Sequence, residues 1–263
     1  MEFLIPDFAD PAVWISLVTL CFLEIILGID NIIFISIVAG KLPLAQQRKV
    51  RNMGLLLAMV FRILLLLGIN WIISLKDPVV TLPALGALSD KAIPLSYKDM
   101  ILIAGGLFLI IKSTLEIHHK LSKDAAPEQK PKTDHKVNIG PVLLQIILID
   151  AVFSFDSILT AVGLVESVAI MIIAVIVSIA VMMLFAGPVS RIVNKHPTLQ
   201  MLALSFLVVI GVVLIAGGFH QEVSKGIIYT SLAFSLTVEM LNIRLRKKEQ
   251  NIELNDSAPV DDK

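Results

Sequence analysis

The sequence predicts an all-α membrane protein with seven transmembrane helices. Six form an inverted three-plus-three repeat, and a seventh stands outside it. Three observations predict this fold. First, the 263 residues are 56% hydrophobic and 17% charged, with a mean hydropathy of +0.86; a soluble domain is about 45–50% apolar with about 25% charged residues. The apolar residues fall in runs of the roughly 20 residues that a bilayer requires of a helix. Second, the connections between runs are alternately rich and poor in lysine and arginine, the pattern of a chain that crosses the membrane repeatedly. Third, one acidic motif occurs twice, in runs separated by an odd number of crossings.

The runs fall at about 12–39, 50–74, 99–117, 139–164, 167–189, 198–218 and 225–243. The first opens on Asp10-Pro11, a capping residue followed by proline at the first helical position. The N-terminal "MEFLIPDFADP" has neither a basic leader nor a small-residue cleavage site, so this run is expected to remain as a span. Between spans 1 and 2 lie Lys41, Arg48, Lys49 and Arg51. Residues 76–98, between spans 2 and 3, are broken by prolines and glycines and read as an external loop. Span 3 starts at Ser96 and Asp99, which have capping-box spacing. A polar segment, 118–138, follows with five lysines and reads as a flexible cytoplasmic linker. His118, His119 and His135 are read there as solvated side chains. Arg191 and Lys195 separate spans 5 and 6, and Arg244, Arg246, Lys247 and Lys248 follow span 7. The other set of connections holds only Lys76, Lys91, Lys98 and Lys225. This asymmetry puts the N-terminus outside and the C-terminus in the cytoplasm. The expected organisation is an N-terminal half over 1–117, the linker at 118–138, a C-terminal half over 139–243 and a disordered tail over 244–263. Trp14 and Trp71 sit near the outer ends of their spans, as interfacial aromatics do.

A formal net charge of zero gives no nucleic-acid signal, and a single cysteine, Cys21, excludes an internal disulfide or a cysteine metal cluster.

The informative motif is internal. "LEIILGIDNII" at 23–33 aligns with "IDAVFSFDSIL" at 149–159. Glu24 then matches Asp150, Gly28 matches Ser154, Asp30 matches Asp156, and Asn31 matches Ser157. Three spans separate the copies, so they enter the membrane from opposite sides, the signature of an inverted repeat. Acids six residues apart differ by about 120° around a helix and about 9 Å along it. Glu24, Gly28 and Asn31 share a stripe, as do Asp150, Ser154 and Ser157. The spacing admits two arrangements: helices broken near Gly28 and Ser154, or continuous helices with Asp30 and Asp156 reaching a cavity from the stripe's edge.

A carboxylate at the centre of a spanning helix costs about 2.5–3.5 kcal/mol on the insertion scale. Here there are four, and Glu239 in span 7 is a fifth. The candidate counter-charges within spans are Arg62 and Lys112. Two cations do not balance five carboxylates, so the substrate is expected to supply positive charge. Carboxylate, amide and hydroxyl oxygens suit hard divalent ions such as Mg²⁺, Ca²⁺ and Mn²⁺. With no histidine deep in a span, copper and zinc fit less well, and an anion is disfavoured among so many acids.

"LEIILGIDNIIFIS", "LIDAVFSFDSILTAVG", "HPTLQMLALSFL" and "FSLTVEMLN" strongly resemble the TerC (tellurium resistance protein C) family of integral membrane proteins. The resemblance covers nearly all of the chain except the linker and tail. It implies kinship with the lysine exporters, a three-plus-three repeat, and an association with manganese export. The family's acidic motif positions fall here on Glu24, Asp30 and Asn31, on Asp150, Asp156 and Ser157, and on Glu239. The soluble domains that some relatives carry after the membrane part are not expected here. The expectation is therefore a bacterial inner-membrane transporter, not an enzyme, with no resident cofactor. Its cargo is Mn²⁺ moved outward by alternating access, and its partners are the divalent ion and the lipid bilayer, with no nucleic acid. The alternatives are an exporter of an organic cation such as a basic amino acid, and a non-transporting membrane scaffold. Oligomeric state and coupling have no signature in the sequence.

Overall fold

The computed structural model describes residues 6–75, 77–83, 92–124, 139–165, 167–221 and 223–256. They are mostly helical, in the order α1 (Pro11–Ala39), α2 (Leu44–Leu67), α3 (Ile69–Ser74), β1 (Pro78–Leu82), β2 (Ile93–Ser96), α4 (Tyr97–Asp124), α5 (Ile139–Val162), α6 (Val168–Lys195), α7 (Pro197–Gly218) and α8 (Lys225–Asp256). Among the described residues, six helices are long and apolar enough to cross a membrane: α1, α2, α6, α7, residues Tyr97–Ser122 of α4 and residues Gly226–Leu245 of α8. Within α5 the apolar stretch Ile139–Phe155 is shorter.

Local chemistry sets the helix starts. The Asp10 side chain accepts from the backbone N–H of Ala12 at 2.8 Å, ahead of Pro11. At α4 the Asp99 carboxylate accepts from the Ser96 backbone N–H at 2.9 Å, and Ser96 Oγ accepts from the Asp99 N–H at 3.2 Å. This is a reciprocal capping box.

Within the all-α membrane class, four details differ from expectation. A small antiparallel hairpin is present, β1 against β2, with Thr81 opposite Pro94 and Leu82 opposite Ile93. It falls inside the stretch read as a loop, where β-branched Val79, Val80 and Thr81 favour extended backbone. Helix α2 begins at Leu44, not near 50, because "LAQQRKVR" is polar but made of good helix formers. Helix α4 runs through His118 and His119 to Asp124, into the segment read as linker; residues 125–138, with His135, lie outside the described residues. Helix α8 continues to Asp256 through the segment read as tail.

The chain divides into two compact units, Met1–Val223 and Ser224–Lys263. In the first, α4 packs along α7 and α1 along α6, while α2 lies against α5 and α6. One apolar cluster joins α1, α2, α5 and α6 through residues such as Leu20, Leu66, Ile146 and Met171. A second joins α1, α4, α5 and α7 through Phe34, Leu109, Ile149 and Leu204. Outward-facing Phe22, Leu64, Leu115 and Leu184 are exposed large apolar residues, the surface that a lipid environment covers. The described residues of the second unit are Ser224 and α8. In it, Thr230, Ser231 and Thr237 return their hydroxyls to carbonyls one turn earlier, so each stays hydrogen-bonded within its own helix.

The α4–α7 crossing is reciprocal. A Cβ on Gly106 would meet the Gly211 carbonyl and, at 2.8 Å, Ile215 Cγ1; a Cβ on Gly211 would meet the Gly106 carbonyl at 2.7 Å and Ile110 Cγ1 at 2.7 Å. Each glycine thus faces the other's backbone and the isoleucine one turn beyond it.

Candidate functional site

The polar residues of the first unit gather where α1, α2 and α5 meet. Arg62 of α2 is only 3% exposed. Its Nη1 donates to Glu24 Oε2 of α1, its Nη2 to Asp150 Oδ1 of α5 at 3.3 Å, and its Nε to Ser154 Oγ at 3.0 Å. Ser154 passes the bond on, its hydroxyl donating to Asp150 Oδ2 at 2.9 Å. Asn31 Nδ2 donates to Asp150 Oδ1 at 3.2 Å. A carboxylate can only accept, so Asp150 fixes which end of the Asn31 amide faces it. The amide oxygen, Asn31 Oδ1, is turned elsewhere and is buried with no hydrogen-bond partner among the described residues.

The helical spacing explains the assembly. Asp150 and Ser154 are four apart and share a face of α5, so one guanidinium reaches both. Glu24 and Asn31 are seven apart, two turns along one face of α1. Beside Glu24 is a cavity of about 10 Å³, otherwise lined by apolar residues including Leu20, Ile158 and Met171, room for about one water-sized particle. With both carboxylates ionised the cluster carries two negative charges against one positive, in a place shielded from water.

Both α1 and α5 are continuous α-helices through Gly28 and Ser154. Of the two arrangements the spacing admits, the broken helix is therefore not the one observed. The aligned positions differ in their neighbours. Ser154 meets Arg62 of α2, whereas a Cβ on Gly28 would run into the Met182 thioether of α6. Each aligned position thus meets one side chain of the helix packed against it, Arg62 of α2 at Ser154 and Met182 of α6 at Gly28.

Of the residues singled out by sequence, Glu24, Asn31, Asp150 and Arg62 come together in this network. Ser157 is buried nearby on α5, its hydroxyl donating to the Ser154 carbonyl at 3.2 Å. Asp30 and Asp156 lie in helical backbone, and their side chains are outside the described residues. Lys112 is half-buried on α4 and makes no ion pair among the described residues. Glu239 belongs to α8, in the second unit. Among the described residues, no three histidine, cysteine or acidic side chains form a ready metal cluster. Ser154 is the residue that sequence reasoning left outside the site. Its signal was its spacing of four from Asp150.

The model of the integral membrane protein TerC family matches residues 9–251. The chain belongs to the TerC family. It is 47% identical over 239 residues to a UPF0053 protein of Haemophilus influenzae, covering 91% of this chain and 97% of that one. It is 44% identical over 239 residues to the UPF0053 inner membrane protein YgdQ of Escherichia coli, covering 91% and 96%. With the E. coli inner membrane protein YoaE it shares 41% over 249 residues, 92% of this chain but 44% of YoaE. No solved structure matches. With six described helices long and apolar enough to cross a membrane, and inner membrane relatives, this TerC-family chain is a multi-pass protein of the bacterial inner membrane.

Proposed function

We propose that this TerC-family protein is a transporter of hard divalent cations that exports Mn²⁺ by alternating access of two inverted halves. One observation carries the reading. Glu24 and Asp150, equivalent residues of the two acidic motifs, converge on one arginine inside the bundle, beside an amide oxygen that lacks a partner. With both carboxylates ionised the cluster is one positive charge short, and a buried imbalance of that kind is costly unless a proton or cation offsets it. Asn31 Oδ1 is the kind of hard neutral oxygen that Mn²⁺ accepts. Asp30 and Asp156 lie about 9 Å along the same two helices from Glu24 and Asp150 and are assigned the remaining carboxylate ligands. Arg62 serves as the resident counter-charge that holds Glu24 and Asp150 when no ion is bound.

Two packing features support the inverted arrangement: the matched pairs α1 with α6 and α5 with α2, and the reciprocal Gly106–Gly211 crossing. Such repeats place their cation sites at the interface between halves. In this reading α5 also crosses the membrane, as the fourth of seven spans.

The test is Mn²⁺ flux in proteoliposomes and inverted membrane vesicles, with and without an imposed pH gradient. Wild type is expected to move Mn²⁺, and Asp30→Asn and Asp156→Asn to abolish flux while remaining in the membrane. Asn31→Ala is expected to weaken Mn²⁺ by about tenfold, the loss of roughly one oxygen contact worth 1.4 kcal/mol. Unchanged flux in both aspartate variants overturns the assignment. Flux of lysine in place of Mn²⁺ redirects it to an organic cation.

A further inference from the structure

A second polar feature lies away from the acidic network. A cleft of about 710 Å³ opens between the N-terminal part of α2 and the C-terminal part of α6. Arg48 and Arg51 line it from α2, and Arg191 and Lys195 from α6. None of the described lining residues is acidic. Four cations therefore face one space with no anion to offset them.

Arg51 makes this more than a solvated basic surface. It is only 8% exposed, and its Nε is buried with no hydrogen-bond partner among the described residues. A Cβ on Gly187 of α6 would sit 3.7 Å from Arg51 Nη2, ordinary contact distance, so the guanidinium lies against α6. A guanidinium withdrawn from water needs a partner, and its natural one is a planar or tetrahedral oxyanion held by two N–H groups. The first turns of α2 bring a positive dipole end to the cleft and the last turn of α6 a negative one, so the basic side chains set its sign.

The other lining of the cleft selects among oxyanions. Leu44, Met183 and Leu184 also border it. Leu44 is 86% exposed and Leu184 75% exposed, and neighbouring Phe185 continues that apolar surface at 58%. An occupant that satisfies both parts carries phosphate at one end and hydrocarbon at the other. The basic ends of the helices are those that the charge distribution assigns to the cytoplasmic side, where basic clefts between spanning helices hold lipid headgroups.

We propose that this cleft binds the headgroup phosphate of an acidic glycerophospholipid, with an acyl chain lying along Leu184 and Phe185. The site is separate from the ion path, and it stands or falls independently of the transport reading.

Native mass spectrometry and thermal melting of the purified full-length protein test it. The delipidated protein is presented with phosphatidylglycerol, cardiolipin, phosphatidylethanolamine or inorganic phosphate. Wild type is expected to retain phosphatidylglycerol or cardiolipin at least tenfold better than phosphatidylethanolamine, and to melt several degrees higher with the acidic lipids. Arg51→Gln is expected to lose that preference. Arg191→Gln/Lys195→Gln changes only exposed side chains, so it reads the site even where Arg51→Gln does not fold, and it is expected to lose at least tenfold. Lys49→Gln, on the same helix but not lining the cleft, is expected to keep wild-type binding. Equal retention of acidic and zwitterionic lipid overturns the proposal, as does an unaffected Arg191→Gln/Lys195→Gln variant. Displacement of the lipid by millimolar inorganic phosphate, with an equal rise in melting temperature, overturns it in favour of a soluble anion site.

Discussion

Arg62 sets the energetics at the scale of single residues. It holds two acids and a hydroxyl from two other helices through one planar fork. Removing one member of a buried ionic group costs about 3–5 kcal/mol, because the remaining charges lose compensation. Arg62→Leu is therefore expected to lower the melting temperature in detergent sharply. Glu24→Gln/Arg62→Leu/Asp150→Asn, which removes all three charges together, is expected to recover much of the loss. Arg62→Lys is expected to fall between, because an ammonium cannot present the same fork to Glu24, Asp150 and Ser154. An Arg62→Leu protein that melts like wild type would show that the network does not hold these helices together. The sequence made Glu24, Asp150 and Arg62 conspicuous, because charges within apolar runs stand out. It did not reveal that Glu24 and Asp150 share one cation, since that depends on how three helices lie together.

Among elements, the α4–α7 pair makes the sharpest prediction. Its two glycines face each other's carbonyls, so any added Cβ must push backbone apart. Gly106→Ala and Gly211→Ala are each expected to destabilise by about 1–3 kcal/mol, as overpacked interiors do. Gly217→Ala, where nothing lies within 4 Å, is expected to change stability by less than about 1 kcal/mol. Equal melting of all three variants would show that this crossing tolerates separation. The partnership of Gly106 with Gly211 was not visible in the sequence, because a helix pattern names a face and not its neighbour. Helix starts were legible at Asp10-Pro11 and Ser96–Asp99, where side chains bond their own backbone. Helix ends were less so. Polarity after His118 and after Arg244 signalled departure from the apolar run, yet neither stretch meets a proline or glycine before Pro127 and Pro259, and polar helix formers carry the helix on.

For the molecule as a whole, the repeat and the basic asymmetry make a joint prediction about sidedness. In a Cys21→Ala background, single cysteines at Lys49 and Lys195 are expected to react with a membrane-impermeant thiol reagent only from the cytoplasmic side, and one at Val79 only from outside. Labelling of Lys49 and Lys195 positions from opposite sides would overturn the inverted arrangement. The doubled motif was readable because both copies are short and polar within hydrocarbon-like surroundings. The hairpin of β1 and β2 was not, since its prolines masked a β-branched core.

Under the proposed alternating-access reading, the pairing of Arg62 with Ser154, against Met182 with Gly28, has a consequence for the cycle. Two identical inverted halves would make the inward-open and outward-open forms mirror each other in energy, each half-populated. A guanidinium on one side and a thioether on the other removes that degeneracy. The empty protein is expected to rest with one face open, and a Met182→Arg exchange to shift that balance, as spin-label distances across each vestibule would register.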